Sequence, residues 1–225
     1  MRPLNPLPDR SVADAVAGRL REAINTGDYA PGDRLVERTL AGQLAVSHIP
    51  IREALTRLQE EGLVVRLPRR GARVAELSPT LLEEISSVRA VLEGLVARRV
   101  QQRWTAAAES ELRGLVAEMV AAADRADVTA LLALDRRFHE RLWQLAEHSI
   151  LLEVVAQLRG RIARFLAAAT RLLESDDLRA HAESHRQLVD ALASADGRAA
   201  QRAMRRHVEI AARRIARAEG IEAIR

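Results

Sequence analysis

The chain contains no cysteine, no lysine, only five aromatic residues, and no proline beyond Pro79. Without cysteine, disulfides, thiolate nucleophiles and cysteine-bound zinc are all excluded. No apolar run approaches the roughly 18 residues that a membrane span needs. The first ten residues hold three prolines and no apolar stretch follows them, so no secretory signal is read and a cytoplasmic protein is expected. So few aromatic rings argue against a pocket that stacks flat ligands, and a small aliphatic acid fits better. The absence of proline after residue 79 removes the strongest helix breaker from most of the chain.

What is present fits a folded protein. The 225 residues are 48% hydrophobic and 29% charged, enough to bury a core and too apolar for wholesale disorder. All 35 basic residues are arginine, and 41 residues are alanine. Arginine suits phosphate recognition, but lysine is missing even from solvent faces, which points to GC-rich codon drift. A net charge of +4 permits nucleic-acid binding without demanding it. Residues 1–75 carry twelve arginines against nine acids, and the remainder 23 against 22. The texture changes at the same place, from short runs broken by glycine and proline to long alanine- and leucine-rich stretches of helical period. This divides the chain into a tail over 1–10, a small domain over 11–76, a linker over 77–80 and a helical domain over 81–225. No internal repeat is visible.

In the small domain, Ser11 and Asp14 form a capping-box-like start, and Val12, Val16, Leu20 and Ile24 recur every four residues. A second helix is expected from Val36 to Leu44 and a third from His48 to Glu61. Ser47 is placed to cap the third, Pro50 sits in its first turn, and Gly62 stops it. Leu63 to Arg66 and Ala72 to Val74 then flank a Pro68–Gly71 turn and read as a hairpin. Helix, helix, tight turn, helix and hairpin is the order of a winged helix-turn-helix. Four arginines and no acid between Val64 and Val74 suit a wing lying on a phosphate backbone. A three-helix domain with a solvated basic loop has the same local pattern.

Pro31-Gly32-Asp33-Arg34-Leu35, Glu37-Arg38-Thr39-Leu40-Ala41, Val46 to Leu55, Glu61-Gly62-Leu63-Val64 and Arg70-Gly71 together resemble the DNA-binding domain of GntR-family transcription regulators. The resemblance covers about residues 10–76. It implies operator contacts by Arg38 and Arg52, phosphate or base contacts by Ser47, His48 and Ile49, and a wing with Arg69, Arg70 and Gly71. Arg34 is either a further DNA contact or a partner for an acid on the first helix. His48 stands where such regulators commonly have arginine, and Ile49 where threonine is common. Neither can make arginine's bidentate guanine contact, although Ile49 can pack on a thymine methyl.

The second domain is expected to be an antiparallel bundle of six helices: from Pro79 to about Arg103, then 105–125, 128–147, 149–171, 178–195 and 198–219. Polar residues on apolar stripes are the informative ones. Asp135 and His139 are four apart, His185 shares a face with Leu188 and Leu192, and His207 lies with Ala203, Ile210 and Ala211. One carboxylate and three imidazoles could hold a divalent cation, while ion pairing or a His181–His185 pair are the plainer readings. Arg89, among Ile85, Leu92 and Val96, needs an anion, either Glu93 or a bound carboxylate.

Asp135 to His139, Glu183 to Leu188, Met204 to His207 and Arg89 to Glu93 resemble the FCD ligand-binding domain of the FadR subfamily over about residues 80–219. The resemblance implies a metal held by Asp135, His139, His185 and His207, with zinc favoured and nickel or manganese as alternatives. It also supports Arg89 as a clamp for a carboxylate effector, with Arg136 and Arg137 as possible neighbours, and it leaves His181 and His148 outside the site. The expected protein is thus mainly α and is no enzyme. It is a homodimeric, metabolite-responsive repressor that binds a near-palindromic DNA operator with half-sites about 34 Å apart and acts away from membranes. A metal-dependent enzyme on a DNA anchor and an unregulated architectural protein are the alternatives; the first lacks a base beside the metal.

Overall fold

The computed structural model describes residues 12–67 and 71–221, and the chain divides into two compact units between Leu77 and Ser78. Ser11, Arg69 and Arg70 lie outside the described residues. No described helix is long and apolar enough to cross a membrane.

The first unit runs α1 (Val12–Thr26), β1 (Arg34–Leu35), α2 (Glu37–Leu44), α3 (His48–Glu60), β2 (Val64–Leu67) and β3 (Gly71–Val74). The four-residue spacing on α1 buries Val16, Leu20 and Ile24 together with Ala13 and Ala17, whereas Val12 is exposed. These side chains meet Leu40 of α2, Ile51, Leu55 and Leu58 of α3, and the inward residues of the strands in one core. A third strand, which the sequence did not suggest, completes an antiparallel sheet of order β1-β3-β2. Its two residues pair with β3, Arg34 against Arg73 and Leu35 against Ala72. Gly71 makes that approach possible. Its φ is +82°, and a Cβ there would lie 2.6 Å from the Leu35 carbonyl oxygen. Ala45 turns the chain between α2 and α3 in the left-handed region at φ 53°, and the short connection brings the start of α3 to the surface.

The second unit is all helix: α4 (Pro79–Gln102), α5 (Ala106–Asp124), α6 (Val128–Leu145), α7 (Ser149–Arg171), α8 (Ser175–Ala193) and α9 (Gly197–Ala218). Most starts carry a local cap. Ser78 accepts from Leu81 N–H at 3.1 Å, Thr105 from Ala108 at 3.1 Å and Asp127 from Ala130 at 3.0 Å. His148 caps α7, its Nδ1 accepting from Leu151 N–H at 3.4 Å. Helix α8 begins at Ser175, a turn earlier than the spacing predicts, and Glu174 at its start makes no side-chain cap. Helix α4 packs on α9, and α5 lies against both α6 and α8. Gly94 lets α4 and α9 meet closely, since a Cβ there would sit 3.1 Å from Gln201 Cγ. The apolar faces form one core that includes Met119, Leu131, Phe138, Leu142, Leu188 and Met204. Ile210 is exposed, so His207 keeps company with Met204 and Val208 rather than with it.

Candidate functional site

The exposed end of α3 is polar and open. Ser47 precedes the helix without any side-chain cap bond, so its hydroxyl remains available to an outside acceptor. Ile49 is 68% exposed. Glu37, Arg38, His48, Arg52, Arg66 and Gly71 line one shallow depression between α2, α3 and the hairpin. Ser47 and Ile49 face another, beside Val12 and Glu53. Arg34 is exposed on β1 and belongs to neither. Among the described residues it has no acid from α1, because Asp14 is bonded to Arg57 and Glu22 to Arg19.

Glu37 organises the first depression, and although it opens one of the family motifs, no spacing in the sequence pointed to that role. Its carboxylate, 17% exposed, accepts from Arg52 Nε at 2.7 Å and from Arg66 Nη2 at 3.1 Å. Arg66 Nη1 also donates to the Arg52 carbonyl and to Thr56 Oγ1, both at 3.2 Å. The guanidinium of Arg52 is therefore aimed rather than free. A helix N-terminus flanked by oriented guanidiniums is the arrangement by which such folds read major-groove edges and hold phosphates.

Inside the helical domain five side chains converge from three helices. Asp135 and His139 come from α6, His181 and His185 from α8, and His207 from α9. The donor nitrogens of His139, His185 and His207 all lie within 4.8 Å of one another, as do the donor atoms of Asp135, His181 and His185. Asp135 Oδ1 is 3.1 Å from His185 Nε2 and 3.4 Å from His181 Nε2. The other carboxylate oxygen of Asp135 is bonded to Arg159 of α7.

His185 tests whether a metal ion fits. Its Nδ1 is 3.0 Å from the His181 carbonyl oxygen, and a carbonyl only accepts, so Nδ1 carries the proton. In the neutral ring Nε2 is then a lone pair. It is buried, has no hydrogen-bond partner by geometry among the described residues and faces a carboxylate oxygen. A neutral Nε2 and a carboxylate oxygen 3.1 Å apart match neighbouring ligands of one cation, since metal bonds of about 2.0–2.2 Å put such atoms roughly 3 Å apart; a protonated Nε2 donates to the carboxylate instead.

The charge states agree. Burial pushes His139 down to about 4, with Arg159 adding to the effect. Burial likewise lowers His181 to about 4 and His207 well below its ordinary range. Neutral imidazoles are the form that binds metal. Burial opposes the ionisation of Asp135, yet Arg159, with His181 and His185 alongside, holds its carboxyl well below the usual range.

A second layer supports the cluster. Arg89 donates from Nε to Glu93 Oε1 at 2.8 Å, and Glu93 Oε2 stands 3.5 Å from His139 Nδ1. All three side chains are buried. Of the two partners considered for Arg89, the structure supplies the internal acid. Glu93 Oε2 thus sets a negative charge beside His139 Nδ1, although the two atoms complete no hydrogen bond. Arg136 and Arg137 are both exposed, the former 3.7 Å from Glu140. The guanidinium at the cluster is that of Arg159, which no local spacing marked. His181 also joins the cluster. Its four-residue interval to His185 was the only signal in the sequence.

Known proteins place both units. The family model described as bacterial regulatory proteins, gntR family, matches residues 12–74, and that of the FCD domain matches residues 84–210. An HTH-type transcriptional regulator of Agrobacterium vitis is 41% identical over 126 residues, covering 55% of this chain and 74% of its own length. A protein of Paenarthrobacter nicotinovorans named "Probable D-xylose utilization operon transcriptional repressor" is 32% identical over 198 residues, covering 88% of this chain and 86% of its own. The solved structure of Escherichia coli McbR/YncC superposes with a TM-score of 0.73 at 26% identity, covering 89% of this chain and 95% of that one. Some FCD domains bind metals, and the buried aspartate and histidines form a group able to do so here. With a winged helix-turn-helix followed by an FCD bundle, the chain belongs to the GntR family of bacterial regulatory proteins and is a DNA-binding transcription regulator.

Proposed function

We propose that the protein is a cytoplasmic, homodimeric repressor that leaves its operator when a small carboxylic acid binds a metal-containing site in the helical domain. The observation that carries this reading is the convergence of His185 Nε2 on the Asp135 carboxylate at 3.1 Å, with the donor nitrogens of His139 and His207 within 4.8 Å of that of His185. Asp135, His139, His185 and His207 are the ligands, and zinc suits their neutral imidazoles and single carboxylate, with nickel or manganese as alternatives. Bound there, the ion would supply a Lewis-acidic anchor for a carboxylate oxygen. Arg89 completes the acid's site from within its pair with Glu93. Domain limits of 11–76 for the DNA-binding part and 81–225 for the effector part follow from this assignment.

At the operator, Arg38 and Arg52 are the main contacts. Ser47, His48 and Ile49 lie along the first turn of α3, and Arg34, Arg69, Arg70 and Gly71 are further contacts. Dimerisation is supported by an apolar stripe on α4, where Val88, Val91 and Leu95 remain 47%, 57% and 39% exposed. Two copies would present two α3 helices to half-sites about 34 Å apart. An acid releases DNA only if it binds the DNA-free arrangement more tightly than the DNA-bound one. Gel-shift titration of a metal-loaded operator complex with small organic acids tests this. Release by one acid, with no effect on the metal-free protein, is expected. Equal DNA binding with and without every acid overturns effector control.

A further inference from the structure

The charges around the cluster do not balance. Three guanidiniums lie there against two carboxylates. Glu93 is bonded to Arg89, and Asp135 to Arg159. Arg214 on α9 has no acid of its own. It stands seven residues beyond His207, hence on the same helix face, and its Nε is buried with no hydrogen-bond partner among the described residues. Burial lowers its pKa, Asp135 opposes that effect and Arg159 adds to it, while its own charge lowers that of His181. Trp143 adds a second unmet donor. Its Nε1–H is buried without an acceptor, while its ring lies 6.5 Å from His139 and 6.0 Å from the Arg159 guanidinium carbon.

Buried donors left unmet are costly, and a native fold keeps them where a ligand completes them. The neutral histidines offer no compensation, and a divalent ion on them would deepen the positive surplus. A monocarboxylate meeting the metal would leave Arg214 as it is. We propose that Arg214 is an effector-binding residue and that the effector is a dicarboxylate whose second acid group meets the Arg214 guanidinium. Trp143, whose ring lies 6.0 Å from the Arg159 guanidinium carbon, offers its N–H as a further donor for that group. This rests on the reading that the helical domain binds an acid at its metal.

The test is calorimetric titration of the metal-loaded full chain with malonate, succinate and glutarate, each against the monoacid of equal length: propionate, butyrate and pentanoate. One diacid should bind about tenfold or more tightly than its monoacid, as expected of a charge-assisted contact. Arg214→Met should erase that preference with the monoacid affinity and metal content unchanged, and Arg214→Lys should restore part of it. Arg214→Met should also raise the melting temperature of the ligand-free protein, because an unpaired buried charge is gone. Equal binding of diacids and monoacids by the wild type overturns the proposal, as does an Arg214→Met protein that keeps the preference or melts lower. If neither class binds the metal-loaded protein, the acid-effector reading fails and this inference fails with it.

Discussion

Glu37 decides what Arg52 can do. Paired to its carboxylate, the Arg52 guanidinium is held in one orientation, which suits reading a base edge better than gripping a phosphate. Arg38 is exposed and carries no such restraint. Arg52→Ala should therefore cost about 1–3 kcal/mol on the operator and less on random duplex. Arg38→Ala should weaken both alike and lower the salt slope by about one. Glu37→Gln removes a negative charge beside DNA while freeing both arginines, so random-duplex affinity should rise and the specificity ratio fall. Fluorescence anisotropy on the two duplexes at several salt concentrations separates these outcomes. In the helical domain Glu93 has the comparable role. Glu93→Gln leaves Arg89 buried without a counter-charge, which should cost about 3–5 kcal/mol of stability. It also removes the negative charge beside His139 Nδ1, so metal affinity should fall about 10–100-fold by competition with a chromogenic chelator. In the sequence Glu93 was legible only as a partner for Arg89, and Glu37 only as part of a family motif; that Glu37 aims Arg52 was not, because a carboxylate that acts through an arginine declares itself only when the partner is known.

Helices were legible to within a turn, and for a local reason. Ser78, Thr105, Asp127 and Asp196 each accept a hydrogen bond from an N–H two or three residues on, so cap and helix start are neighbours in sequence. Strand β1 was not legible. A two-residue strand has no periodicity, and it exists only because β3 offers Arg73 and Ala72 as register partners. Gly71 holds that pairing open. Gly71→Ala combines a φ of +82° with a Cβ 2.6 Å from the Leu35 carbonyl, and should cost about 1–3 kcal/mol. The expected readout is a lower melting temperature for the N-terminal unit with the helical unit unmoved. Two separate transitions shifting together would count against this assignment. Val12 shows the opposite failure. Its spacing matched the buried face of α1, but it is the first residue of the helix and is exposed, while its neighbour Ala13 is buried.

For the whole molecule, a metal joining α6, α8 and α9 would tie together helices far apart in the chain. Its removal should then lower the stability of the helical unit alone. With free metal at a hundredfold above its dissociation constant, the expected contribution is about 2.7 kcal/mol. Differential scanning calorimetry should show one transition moving down with chelator and returning with zinc, while the winged unit's transition stays in place. The amino-acid sequence by itself determined the class of fold, the order of the helices and the family, because caps, turns and four-residue spacings act between near neighbours. It also marked Asp135, His139, His185 and His207 as facing inward, since helical period alone places a residue on a face. Only the tertiary structure decided their company. It put His181 beside Asp135, gave Arg89 to Glu93, turned Arg136 and Arg137 to solvent, and brought Arg159 to the cluster from α7. Which side chains meet inside a bundle depends on how helices distant in sequence pack and cross, and no local pattern carries that.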